Sequence, residues 1–155
     1  MDKLNLPQVQ LNVKNAKGKL FVFDPFRKKH VALTPEELVR QHFLDFLVKV
    51  GKYPMSLISV EQTVNVNGLN QRADGVVYSK SGSPLVLIEC KAPDVSITVE
   101  VLNQAIRYSV ALNAPLLFLT NGMIHYYILN PKESNELLNF KELPDYEKVL
   151  SLVSR

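Results

Sequence analysis

The feature that most constrains this chain is the run Leu85-Val86-Leu87-Ile88-Glu89-Cys90-Lys91, which is closed by Ala92-Pro93. A segment this apolar belongs inside a sheet with both faces covered, yet it ends in a carboxylate and an ammonium. Side chains alternate along a strand, so Glu89 and Lys91 share one face while Ile88 and Cys90 take the other. Charges at the edge of an apolar interior are costly unless they are paired or bound to metal. A cross-strand salt bridge would be the plain reason for their presence, but an exposed pair contributes only about 0–1 kcal/mol. That is little return for interrupting a core strand.

The neighbouring segments assign this strand its place. Residues 56–66 read as a strand, Asn67-Gly68-Leu69-Asn70 turns into a second from Arg72 to Tyr78, and Ser79-Lys80-Ser81-Gly82-Ser83 turns into the third, Pro84 to Lys91. Upstream, Thr34-Pro35-Glu36-Glu37 is a helix start, with Thr34 as N-cap, Pro35 at the first position and Glu37 completing a capping box. Val39, Phe43, Phe46, Leu47 and Val50 carry that helix to about Val50, and Gly51 suits a left-handed C-terminal cap. A second helix is expected from Ile97 to Leu112, then a strand Leu116–Thr120, an Asn121-Gly122 hairpin and a returning strand from Met123 to Leu129. Residues 9–13 and 20–23 read as a hairpin around 14–18, and a short helix is expected from Asp145 to Leu152. Helix, three strands, helix, two strands implies an α/β sandwich: a mixed central sheet flanked by helices, with an N-terminal β-hairpin. The 155 residues fit one domain, with a hairpin extension at 1–33, a core at 34–130 and a C-terminal tail at 131–155.

Composition excludes several classes. One cysteine, Cys90, forbids an internal disulfide and any multi-cysteine zinc site, and is expected to act as a small buried hydrophobe. His30, His42 and His125 show no ligand spacing. No basic-then-apolar leader opens the chain and no stretch approaches the roughly 20 apolar residues of a membrane span, so a cytoplasmic protein without membrane contact is expected. The net charge of +3 permits nucleic-acid contact without demanding it. Lys14, Lys17, Lys19, Arg27, Lys28, Lys29 and His30 cluster near the N-terminus. They read either as a solvated hairpin edge that resists pairing or as a phosphate-contacting patch.

Asp74, on the strand expected to pair with 84–91, completes a constellation. Two carboxylates and a lysine can thereby converge at one end of adjacent strands. Mg²⁺ takes carboxylate and water oxygens, so Asp74 and Glu89 are the expected metal ligands, with Mn²⁺ as an alternative ion. A bound ion would activate water and stabilise phosphoryl charge, while Lys91 would act on the water or the phosphate as a point charge.

An Asp followed fifteen residues later by Glu-x-Lys resembles the signature of the PD-(D/E)XK nuclease superfamily. Thr34-Pro35-Glu36-Glu37-Leu38-Val39-Arg40-Gln41 together with Ile88-Glu89-Cys90-Lys91-Ala92-Pro93 is similar to the nuclease domain at the N-terminus of type I restriction enzyme R subunits, over about residues 20–130. The resemblance implies a restriction-endonuclease-like fold and a Mg²⁺-dependent deoxyribonuclease of endonuclease type, with DNA as partner. Motor or specificity subunits would act in trans, because the chain has no phosphate loop of its own; a homodimer is also compatible. Gln104 and Tyr108 match the Gln-x-x-x-Tyr element of this branch, which implies that they orient Lys91 or contact the nucleic-acid backbone. The superfamily's first-helix glutamate maps to Glu36, since Glu37 has a capping task. Arg40, Gln41 and Arg107 read either as phosphate contacts or as residues of solvated helix faces. Ala73 stands where the motif often has proline. The alternative function is a nuclease-fold module that binds DNA or a partner with its catalytic geometry unused.

Overall fold

The computed structural model describes residues 3–130 and 136–154. Two sheets carry the architecture. The first has three antiparallel strands, β1 (Val13–Ala16), β2 (Lys19–Asp24) and β3 (Lys29–Ala32). The expected hairpin is therefore shifted and enlarged. Its turn is the dipeptide Lys17-Gly18, both left-handed (φ 55° and 80°), with the Asn15 side chain accepting from Gly18 N–H at 3.1 Å. Such a two-residue turn matches the right-handed twist of its strands. It draws the first strand to 13–16 instead of 9–13.

The second sheet holds six strands in sequential order: β4 (Ile58–Val66), β5 (Leu69–Tyr78), β6 (Pro84–Cys90), β7 (Leu116–Thr120), β8 (His125–Leu129) and β9 (Leu138–Phe140). All neighbours are antiparallel except β6 and β7, which run parallel because a helix, α2 (Val99–Leu112), crosses between them. The mixed sheet is packed on both faces. Helix α1 (Pro35–Lys49) lays Val39, Phe43, Leu44 and Leu47 against Val86, Ile88 and Cys90 of β6. Helix α2 places Ala105 on the other side, with Leu87, Leu117 and Leu119. The tail is no appendage among its described residues: β9 adds the sixth strand, and α3 (Tyr146–Val153) sends Tyr146 and Val149 into the α1-side core.

Local chemistry explains where the elements stop. Thr34 caps α1 by accepting from Glu37 N–H at 3.1 Å. The reciprocal half of the expected capping box is absent: Glu37 spends its carboxylate on Arg27 and Arg40, and Thr34 N–H goes to Ala32 C=O. Gly51 does not take the left-handed turn; Lys52 does, at φ 60°. Glycine is needed at 51 for space, because a Cβ there would lie 2.8 Å from Leu47 O and from the Tyr53 ring. The Asn121-Gly122 turn is likewise longer than expected. Thr120 pairs with His125, and Asn121 Oδ1 accepts from both Met123 and Ile124 N–H at 2.9 Å, so β8 begins two residues late. No helix among the described residues is long and apolar enough to cross a membrane.

Candidate active site

Strand pairing brings the carboxylates together. The β5–β6 register runs to Gly75↔Ile88, so the next positions, Asp74 and Glu89, face each other across adjacent strands. Opposed residues of an antiparallel pair share a face. Asp74 Oδ2 accepts from Cys90 N–H at 2.7 Å, so this carboxylate ties the two strands together where the regular ladder ends. Lys91 follows β6 directly, held by its backbone N–H to Thr120 C=O at 2.8 Å. Glu36 is exposed on the first turn of α1, and its charge acts on both carboxylates.

The electrostatics are those of crowded acids in a poorly hydrated place. Burial, more than any neighbour, pushes Asp74 up to about 6; Glu36 adds to this, while the Cys90 amide, Arg40 and Lys91 pull down. Glu89, only 7% exposed, is pushed up to about 8 by burial and then by the Asp74 charge, with Lys91 opposing. Its Oε1 is buried and has no hydrogen-bond partner among the described residues. A buried unpaired carboxylate oxygen asks for a proton or a cation. The donor set is hard oxygen and anionic, which suits Mg²⁺ or Mn²⁺ and not a soft metal. Among the described residues no three or more His, Cys, Asp or Glu side chains are arranged as a complete cage. Mg²⁺ does not need one, since it is usually held by one or two carboxylates with water completing the shell.

The remaining expected residues fall in different places. Gln104 and Tyr108 meet on α2, Gln104 Nε2 donating to Tyr108 Oη at 2.9 Å, and the Tyr108 ring packs on the α2-side core. Each is engaged with the other, with no bond to Lys91. Arg107 is exposed on the same helix. Arg40 and Gln41 are buried, each 7% exposed, so neither offers the open surface expected of a phosphate contact. Arg40 instead sits in an ion network: its Nε donates to Glu37 Oε2 at 2.7 Å, its guanidinium pairs with Glu61, and Nη1 lies 4.0 Å from Asp74 Oδ1. Arg27 joins the same network through Asp24 and, at 2.5 Å, Glu37. It points inward, unlike the lysines with which the sequence groups it.

Glu61 is the residue that sequence reasoning missed. It occupies a left-handed conformation, φ 55°, in the middle of β4 and opposite Asp74, between the pairs Val60↔Gly75 and Gln62↔Ala73. Ile58 and Val60 pack on the α1 side whereas Val64 and Val66 pack on the α2 side. Even-numbered residues of one regular strand would all share a face, so the turn at Glu61 switches the strand between cores beside Asp74. Non-glycine residues in this region cost about 1–3 kcal/mol and cluster at functional sites. A glutamate within an otherwise alternating segment was the only signal in the sequence.

A family model described as type I restriction enzyme R protein N terminus (HSDR_N) matches residues 35–144. No curated protein matches the chain significantly. Among solved structures, a fragment assigned to an HsdR subunit of a type I restriction enzyme from Vibrio vulnificus YJ016 aligns over 77% of this chain with a TM-score of 0.59. At 17% identity the likeness is one of fold, and the chain spans 25% of that fragment's length. A structure assigned as a nuclease of DUF820 from Anabaena variabilis ATCC 29413 covers 94% of this chain and 88% of its own, at 14% identity and a TM-score of 0.49. With the family model covering most of the sequence and Asp74 and Glu89 set on the neighbouring strands β5 and β6, the chain belongs to the type I restriction enzyme R protein N-terminal family, as a nuclease-like domain of restriction-endonuclease-like fold.

Proposed function

We propose that this domain hydrolyses DNA phosphodiester bonds, as a Mg²⁺- or Mn²⁺-dependent endonuclease whose ligands are Asp74 and Glu89. The observation that carries the reading is Glu89 Oε1, buried beside Asp74 and without a hydrogen-bond partner among the described residues. Two acids held away from water, each pushed toward its protonated form, are a costly arrangement that a bound cation relieves. The ion supplies a lowered water pKa and charge neutralisation at the phosphoryl oxygens. The chain's own residues do the rest. Asp74 is fixed through Oδ2 by the Cys90 amide, which leaves Oδ1, 4.0 Å from Arg40 Nη1, as the oxygen turned to the ion. Lys91, half-buried at the end of β6, orients the attacking water or holds a phosphate oxygen. Glu36 adds negative charge from α1, and exposed Arg107 and Gln104 contact the DNA backbone from α2. We place the protein in the cytoplasm, working with the motor and specificity functions of a restriction system. The family match and the HsdR fold neighbour support that context.

A plasmid-nicking assay with Mg²⁺ tests the reading. Wild type converts supercoiled DNA, and Lys91→Ala lowers the rate by at least about 100-fold, the scale of one lost transition-state donor. Cleavage by Lys91→Ala at the wild-type rate would remove Lys91 from the chemistry.

A further inference from the structure

The N-terminal sheet has an outward face that the site does not use. Its register sets Lys14 beside Phe21, Phe21 beside Ala32, Phe23 beside His30 and Ala16 beside Lys19. By strand alternation these residues share one face, while Leu20, Val22 and Asp24 take the other. The second face is the inward one. Val22 and Asp24 are buried there, and Leu20 lines a cavity with Leu33, Leu38 and Pro93. On the outward face Phe21 and Phe23 are half-buried and are packed into neither core, and the Phe23 ring meets the His30 ring edge-on at 5.4 Å.

The charge on this sheet is one-sided. Residues 13–32 contain Lys14, Lys17, Lys19, Lys28 and Lys29, all exposed, and a single acid, Asp24, which is turned inward onto Arg27. None of the five lysines is ion-paired among the described residues. Edge protection accounts for lysines on β1 and β3, but gives no reason for two phenylalanines on the outward face. Aromatic rings among uncompensated cations on an open sheet are what unpaired bases and their phosphates require. The sheet is also bolted to the site: Arg27 links Asp24 to Glu37, and Glu37 holds Arg40 beside Asp74.

We propose that this face binds single-stranded DNA, with Phe21 and Phe23 stacking bases while Lys14, Lys19 and His30 flank the phosphates. The proposal rests on the nuclease reading only for the polymer being DNA. It is tested by fluorescence anisotropy with a labelled oligo-dT of about 15 nucleotides, within the usual span of one binding module, in chelator so that cleavage cannot contribute. Phe21→Leu and Phe23→Leu should each weaken binding about 5- to 50-fold, the scale of one lost base stack. Lys14→Glu/Lys19→Glu should weaken it and flatten its salt dependence by about 1.4 in log–log slope. An unlabelled duplex should compete poorly. Unchanged affinity in the lysine variant overturns the proposal, as does unchanged affinity in both leucine variants, or equal competition by duplex. Thermal melts check folding; should a leucine variant unfold, the lysine variant and the duplex competition still decide. Normal plasmid cleavage with oligo-dT binding untouched by these variants sinks the surface alone. Absent cleavage with the predicted binding losses sinks the nuclease alone.

Discussion

Glu89 is where the stability of the fold and its chemistry pull against each other. Its carboxyl is raised to about 8 by burial and by Asp74, far above an unfolded glutamate. A raised carboxyl pKa favours the protonated form, so its contribution to stability is full below the unfolded value of about 4.3 and is lost as pH climbs through about 8. Asp74, raised to about 6, adds the same sign at lower pH. In chelator the melting temperature should therefore fall between about pH 5 and pH 9. Glu89→Gln, which is neutral and nearly the same shape, should flatten that fall and melt higher than wild type at the alkaline end. A wild-type melting temperature that rises over this range would show that burial does not govern these acids. Asp74, Glu89 and Lys91 were legible in sequence because alternation and a short turn fix which face each one takes. Glu61 and Arg27 were not, because their partners lie across the fold: Glu61 pairs with Arg40, Arg27 with Glu37.

At the scale of elements, α1 is held to β4 and β5 by ions as well as by apolar packing. Arg40 is shared by Glu37 and Glu61, with Asp74 at 4.0 Å, and all four are half-buried or buried. Removing one member of such a set leaves the others uncompensated, so Arg40→Ala should cost about 3–5 kcal/mol in urea unfolding. A loss under about 1 kcal/mol would mean the network behaves like exposed pairs. Gly51→Ala should also destabilise, by about 1–3 kcal/mol, because the added methyl meets Leu47 O and the Tyr53 ring rather than because of backbone strain. Helix starts and long apolar strands could be read from the sequence, since caps and periodicity are local signals. Strands β3 and β9 could not: Lys29–Ala32 and Leu138–Phe140 are short and partly polar, and exist because a neighbouring strand offers them hydrogen bonds.

The whole molecule depends on its C-terminal segment more than a polar tail would suggest. Tyr53 donates to Pro144 C=O at 2.6 Å and stacks edge-on with Tyr146, while Val149 is fully buried in the α1-side core. Burying each such side chain is worth about 1.5–3 kcal/mol, a large share of a domain's usual 5–15 kcal/mol. Truncation after Asn130 should leave a chain without a cooperative thermal transition; a sharp melt near the wild-type temperature would show the segment to be dispensable. The chemistry rests on the cation, and calorimetric titration of Mn²⁺ into the protein near neutral pH measures whether Asp74 and Glu89 hold it. Wild type should bind at a site that Asp74→Asn and Glu89→Gln each abolish while both variants stay folded. Mn²⁺ binding of equal affinity in all three proteins would contradict the assignment of Asp74 and Glu89 as ligands.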